Sequence, residues 1–266
     1  MKTLRSETQW TTLKIVPLCL LLAGVLALSA ATHARNSVWQ DTVILWNDTI
    51  GKSPRKPRVY MVRGNHYVKT GQLDKAIEDY DRALALNPSF IEAYNDRGMA
   101  YYLMGRLDWA IKDYDRAIAL SPMYPEAYNN RGMALDDKGE LDKAIEDYDR
   151  AIALNPLYYK AYNNRGTLYG KKGLFTRAIE SFNQAIVINR DFAEAYSNRG
   201  STYFILGQYG MALDDINKTI FLNPNDAPAY VKRGRLYSNL GERDRALSDF
   251  RKACQLGNRD GCNALQ

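Results

Sequence analysis

Four polar pairs recur through the middle of the chain at a constant step of 34 residues: Asn95-Asp96, Asn129-Asn130, Asn163-Asn164 and Ser197-Asn198. An asparagine side chain offers both a donor and an acceptor, so a row of them suits the N–H and C=O groups of an extended peptide. That chemistry is recognition. Catalysis would need a nucleophile beside a base, a metal cluster or a phosphate-cradling loop, and no such set stands at a fixed spacing. The neighbouring acids Asp136-Asp137 read as solvated residues at a helix end. The two histidines, His33 and His66, are far apart and lack cysteine neighbours, so a zinc site is not expected. The sequence therefore points to a protein without enzymatic activity, metal or cofactor.

The polar pairs sit inside a larger repeat. An Arg-Gly pair returns at Arg63-Gly64, Arg97-Gly98, Arg131-Gly132, Arg165-Gly166, Arg199-Gly200 and Arg233-Gly234. A second glycine keeps the beat at Gly71, Gly105, Gly139, Gly173, Gly207 and Gly241, and an alanine follows each by five residues. A period in this range marks a solenoid or array. In the copy from Pro125 to Pro156, Ala127, Tyr128, Leu135, Leu141, Ala144, Ile145, Tyr148, Ala151, Ile152 and Leu154 give two runs of helical spacing, broken near Lys138-Gly139. Glycine ends the first helix and Pro156 follows the second, as Pro88, Pro122 and Pro224 do in other copies while Arg190 and Asn258 replace it in the fourth and sixth, so each copy reads as helix, turn, helix. Small residues such as Gly132 and Ala144 let the two helices approach closely. Each hairpin then leaves an apolar face for the next to bury.

The period and this pattern of aromatic, glycine, tyrosine, alanine and proline resemble the tetratricopeptide repeat. The resemblance implies an all-α fold, a right-handed superhelical solenoid of antiparallel helix hairpins. Six units would span 57–90, 91–124, 125–158, 159–192, 193–226 and 227–260, with 261–266 as a tail. The family often carries leucine before the first glycine, where this chain has arginine. Asp79, Asp113, Asp147, Asp215 and Asp249, with Ser181 in the fourth unit, could pair with those arginines in a structural role. In such arrays the first helices line the concave surface, which makes Asn95, Asp96, Met99, Tyr102, Asn129, Asn130, Met133, Asp136, Asn163, Asn164, Thr167, Lys171, Asn198, Ser201 and Phe204 candidates for holding a protein or peptide. Asn130, Asn164 and Asn198 also match the asparagine ladder in the array of the O-linked N-acetylglucosamine transferase, from which Asp96 departs. Duplication of one ancestral unit would copy asparagines without any ligand, so the ladder leaves both readings open. Met61 and Pro228 occupy slots where the chaperone-binding carboxylate clamp needs basic residues, and that specificity is not assigned.

The net charge of +6 is concentrated before the array, since residues 59–266 carry 28 basic and 27 acidic side chains. Such a balance gives no global footprint for nucleic acid. Residues 15–32 hold no charge and follow Lys2, Arg5 and Lys14, which reads as a retained membrane anchor within 1–34 with the array outside the cytoplasm. The alternative is a signal sequence cleaved near Ala31 or Ala34 and release to the periplasm. In the segment 35–56, Trp39, Val43, Trp46 and Ile50 share one helical face, with Asn36 or Ser37 to cap its start. This helix would cover the open end of the first repeat, and its tryptophans also suit a membrane interface. Trp39, Leu45-Trp46, Lys52-Ser53-Pro54 and Arg58 further resemble a stretch of bacterial membrane proteins in which a multi-spanning, glycosyltransferase-like portion precedes such repeats. An accessory or detached part of such a system is the alternative function, without transferase activity. Cys254 falls late in a helix and Cys262 just after a turn, within disulfide reach in an exported domain. The pair also resembles those of Sel1-like repeat proteins.

Overall fold

The computed structural model describes residues 42–265. They fall into two compact units, one ending at Phe90 and the other beginning at Ile91. Every regular element among the described residues is an α-helix. The apolar run 15–32, Cys19, His33, Trp39 and the capping residues Asn36 and Ser37 lie outside them. Within them, no helix is long and apolar enough to cross a membrane.

The first unit contains α1 (Thr42–Lys52) and the hairpin of α2 (Pro57–Lys69) and α3 (Leu73–Leu86). Helix α1 packs on α2, with Val43, Trp46 and Ile50 partly buried. Arg63 on α2 donates to Asn47 on α1 and to Asp79 on α3. Asn47 precedes its arginine by 16 residues, the same separation that links Asp115 to Arg131 between repeats. Helix α1 thus meets α2 as the second helix of a preceding repeat would.

The second unit stacks five hairpins: α4 (Ile91–Leu103) with α5 (Leu107–Leu120), α6 (Pro125–Asp137) with α7 (Leu141–Leu154), α8 (Tyr159–Lys171) with α9 (Phe175–Ile188), α10 (Ala193–Ile205) with α11 (Tyr209–Leu222), and α12 (Ala227–Asn239) with α13 (Arg243–Gln255). A short α14 (Arg259–Asn263) closes the chain. The turn inside the α6/α7 hairpin shows why the sequence folds so. Glu140 N–H donates to the Leu135 carbonyl (2.8 Å) and Gly139 N–H to that of Asp136 (2.9 Å). This double bond pattern needs a left-handed residue, and Gly139 has φ 84°. The other close constraint is Gly132, where a Cβ would stand 2.8 Å from Cε1 of Tyr148. Tyr148, Ala144 and Ala151 are fully buried on one face of α7. Burying a ring of this size contributes about 1.5–3 kcal/mol.

Arginine fastens each hairpin. Arg131 pairs bidentately with Asp147 of its own second helix (Nε–Oδ2 2.8 Å, Nη2–Oδ1 2.7 Å) and singly with Asp115 of the preceding one (2.6 Å). The same bidentate pair joins Arg97 to Asp113, Arg199 to Asp215 and Arg233 to Asp249. Each of these aspartates is buried. Burial pushes the Asp147 carboxyl above its ordinary value even though Arg131 pulls it down, while the hydrogen bond to Asp147 raises Arg131. The guanidinium is therefore what keeps a costly buried carboxylate in place. Adjacent first helices contact one another, α4 with α6, α6 with α8, α8 with α10 and α10 with α12, whereas the second helices make no mutual contacts among the described residues. The stack is tighter on the first-helix side, which makes that side its inner face.

Candidate functional site: a polar groove on the first helices

The asparagine pairs divide into two roles. Asn95, Asn129 and Asn163 are buried, Asn163 to 1% exposure, so they turn into the stack and do not themselves present amides to a ligand. Their partners in the next repeat bind them: Asn130 Nδ2 donates to Asn95 Oδ1 (2.9 Å), Asn164 to Asn129 (3.0 Å) and Asn198 to Asn163 (3.1 Å). Within a pair, Asn129 donates to Asn130 Oδ1 (3.2 Å) and Asn95 to Asp96 Oδ1 (3.3 Å). The result is a continuous side-chain chain from Asn164 to Asp96. Asn163 instead donates to Glu194 Oε1 (3.0 Å), and Lys232 stands in the asparagine slot of the last repeat, donating to Ser197 Oγ (2.6 Å). The ladder is first a brace between repeats, because a buried amide left unbonded would cost about 1–3 kcal/mol. Asn164 and Asn198 both line a cavity, and their amide oxygens accept no hydrogen bond among the described residues.

That cavity, about 250 Å³, is also lined by Tyr102, Met133, Asp136, Asp137, Tyr148, Thr167 and Glu194. It brings together α4, α6, α7, α8 and α10. Tyr102 donates to Asp137 Oδ2 (2.6 Å), and burial followed by this bond pushes its phenol up to about 12. Lys171 pairs with Asp136 Oδ2 (2.7 Å). The expectation of a solvated Asp136 does not hold: its side chain is 11% exposed, and Oδ1 is buried without a hydrogen-bond partner. Tyr148, read from sequence as a core residue, does fill the core and also lines this cavity with no hydrogen bond from its hydroxyl among the described residues. Met133 lies beside Asn129, its sulfur 3.7 Å from Nδ2. Met99 on α4 is half-buried and outside this cavity.

A second cavity of about 240 Å³ lies between the last two hairpins, lined by Ser201, Phe204, Ile205, Ile216, Lys232 and Arg235 among others. It brings in Phe204, whose ring packs against Tyr209 at a tilt of 46° with centroids 5.6 Å apart. Desolvation lowers Lys232 below the ordinary lysine value, opposed by Asp226 and Glu194. Glu194 and Lys232 were missed in the sequence. The first stands four residues before Asn198 on the same helix face, and the second occupies the asparagine slot itself, which were the available signals. At the end of the chain a disulfide joins Cys254 to Cys262 across 4.6 Å between Cα atoms, tying α14 to α13.

Comparison with known proteins addresses the fold and the family. Among curated proteins, the U-box domain-containing protein 70 of Oryza sativa subsp. japonica is 30% identical over 56 residues, 21% of this chain and only 7% of the relative. Among solved structures, the Cut9-Hcn1 hetero-tetramer of the APC/C is 21% identical with TM-score 0.74, covering 84% of this chain and 44% of that one. YrrB, a TPR protein with an unusual peptide-binding site, is 22% identical with TM-score 0.51, covering 69% of this chain and 95% of that one. These identities carry the fold alone. Family models for TPR repeats match residues 64–105 and 98–137, and models for the tetratricopeptide repeat match 125–158, 159–192, 193–226 and 227–256. With the matches running through most of the chain and the hairpins built as described, the chain belongs to the tetratricopeptide repeat family.

Proposed function

We propose that this protein is an interaction scaffold that holds an extended segment of a partner protein along the first-helix face of residues 91–266. The observation that carries this reading is the cavity on that face, where Asn164, Asn198, Asp136 and Tyr148 retain hydrogen-bonding capacity that the other described residues do not use. An extended peptide supplies N–H and C=O groups at regular intervals, which such a surface can match. The side chains that vary from repeat to repeat, Met99, Met133, Thr167 and Ser201 at one register, would give the groove its selectivity. The arginine clamps and glycine contacts hold the helices still and are nearly the same in each repeat.

We further propose that the N-terminal segment keeps the array at a membrane and outside the cytoplasm. The uncharged run 15–32 behind basic residues supports this, as does the disulfide, since such bonds persist in oxidising compartments. Protease added to intact cells or spheroplasts should digest the array while a cytoplasmic marker survives, and protection of the array would overturn the placement.

A photo-reactive residue separates the two faces of the stack. Placed at Thr167 in the groove, it should crosslink the partner in membranes, whereas at Val187, 69% exposed on a second helix, it should not. Crosslinks from Val187 alone would assign recognition to the other face.

A further inference from the structure

Resting on that reading, we propose that the cavity around Asp136, Asp137 and Glu194 receives the cationic side chain of a lysine or arginine in the bound segment. Three carboxylates face it; the Lys171 ammonium pairs with Asp136, and the Lys232 ammonium, which donates to Ser197, acts on Glu194 through its charge alone. Each carboxylate spends one oxygen on a protein donor: Asp136 on Lys171, Asp137 on Tyr102 and Glu194 on Asn163. Among the described residues the second oxygens of Asp137 and Glu194 accept no hydrogen bond, and that of Asp136 is buried without a partner. A buried carboxylate oxygen without a donor is costly unless a ligand completes it.

A tyrosine lining the same cavity supplies an independent indication. Tyr148 is 1% exposed, lines the cavity, and bonds to nothing with its hydroxyl among the described residues. Packing does not require that hydroxyl. Phe182 and Phe250 occupy the same position in the fourth and sixth repeats and pack over Gly166 and Gly234 as Tyr148 packs over Gly132: a Cβ added to these glycines would stand 2.7, 2.6 and 2.8 Å from the ring. Burial first, and the neighbouring acids second, push the Tyr148 phenol upward, so it stays a neutral group that can accept from an N–H. Among the described residues no group of three His, Cys, Asp or Glu side chains is arranged to hold a metal ion, which favours an organic cation. The volume, about 250 Å³, lies just below the roughly 300–1,000 Å³ of pockets for drug-sized ligands and suits one side chain. Charge-assisted hydrogen bonds from an ammonium or guanidinium to these oxygens would also fix the register of the segment along the groove.

The test uses the full chain in detergent and a library of random dodecapeptides displayed on phage. Selected peptides should carry lysine or arginine at one fixed position. Synthetic versions should lose about tenfold in affinity when that residue is made norleucine, and about tenfold on Glu194→Gln, which keeps an oxygen for Asn163. The norleucine peptide should bind Glu194→Gln no worse than it binds the parent protein. Peptides selected on the first-helix face without basic enrichment would overturn the cationic site and leave the peptide groove standing. Failure to select any peptide, or selection that Thr167→Arg in the groove does not disturb, would overturn both.

Discussion

The third and fourth repeats perform a substitution experiment within one molecule. In the third, Arg131 grips buried Asp147 with two bonds, and in the fourth Ser181 replaces that aspartate and leaves Arg165 one bond of 3.3 Å. Arg165 keeps its link to Asp149 of the preceding repeat (2.6 Å) and stacks over Tyr162 at 5.4 Å. Tyr148 of the third repeat likewise becomes Phe182, with the glycine contact retained. The hairpin therefore tolerates loss of either polar group. What the clamp protects is its own buried carboxylate, and what the hydroxyl offers lies outside the fold.

The sharpest way to break this comparison is to remove both arginines in turn. Arg131→Leu strands Asp147 in the interior and should cost about 3–5 kcal/mol in urea unfolding, whereas Arg165→Leu, which strands no buried acid, should cost about 1 kcal/mol. The two also differ with pH. Burial already raises Asp147, so in Arg131→Leu the folded state holds a proton that the unfolded state releases. Stability of that variant should be greatest in acid and fall as pH rises from about 4, so the gap between the variants narrows on acidification. Equal losses independent of pH would refute the account of the clamp.

Glycine gives a smaller effect with a built-in control. Gly132→Ala places a Cβ 2.8 Å from Tyr148 and should cost about 1–3 kcal/mol by overpacking. Gly210→Ala, where nothing lies within 4 Å on helix α11, should stabilise by about 0.5–1 kcal/mol. Both are read from the same denaturation curves. Within the same range, Asn129→Ala should cost about 1–3 kcal/mol, because Asn164 and Asn130 each lose their partner. A loss near zero would return the asparagines to mere copies left by duplication.

Much of the fold was legible because its determinants are local and repeated. The glycine beat marked the turns, and the first helices begin at Pro57, Ile91, Pro125, Tyr159, Ala193 and Ala227, where the 34-residue units start. The Arg-Asp pairing was also legible, since a separation of 16 residues joins two helices of one hairpin. The site was harder to read because its contacts run between repeats. Asn130 to Asn95, Tyr102 to Asp137, Lys171 to Asp136 and Lys232 to Ser197 all span 35 residues, one period plus one. Helical periodicity within a unit gives no hint of that step, which arises from how neighbouring first helices lie against each other. Asp136 looked solvated for this reason, and the inward asparagines looked like groove residues.

The most direct test of a frame separable from its recognition groups is Tyr148→Phe. Its melting temperature should stay within about 2 °C of the parent, since among the described residues the hydroxyl makes no hydrogen bond to lose. Affinity for a lysine-bearing peptide selected on the parent should fall about tenfold. A variant that melts well below the parent while binding the peptide unchanged would contradict the account.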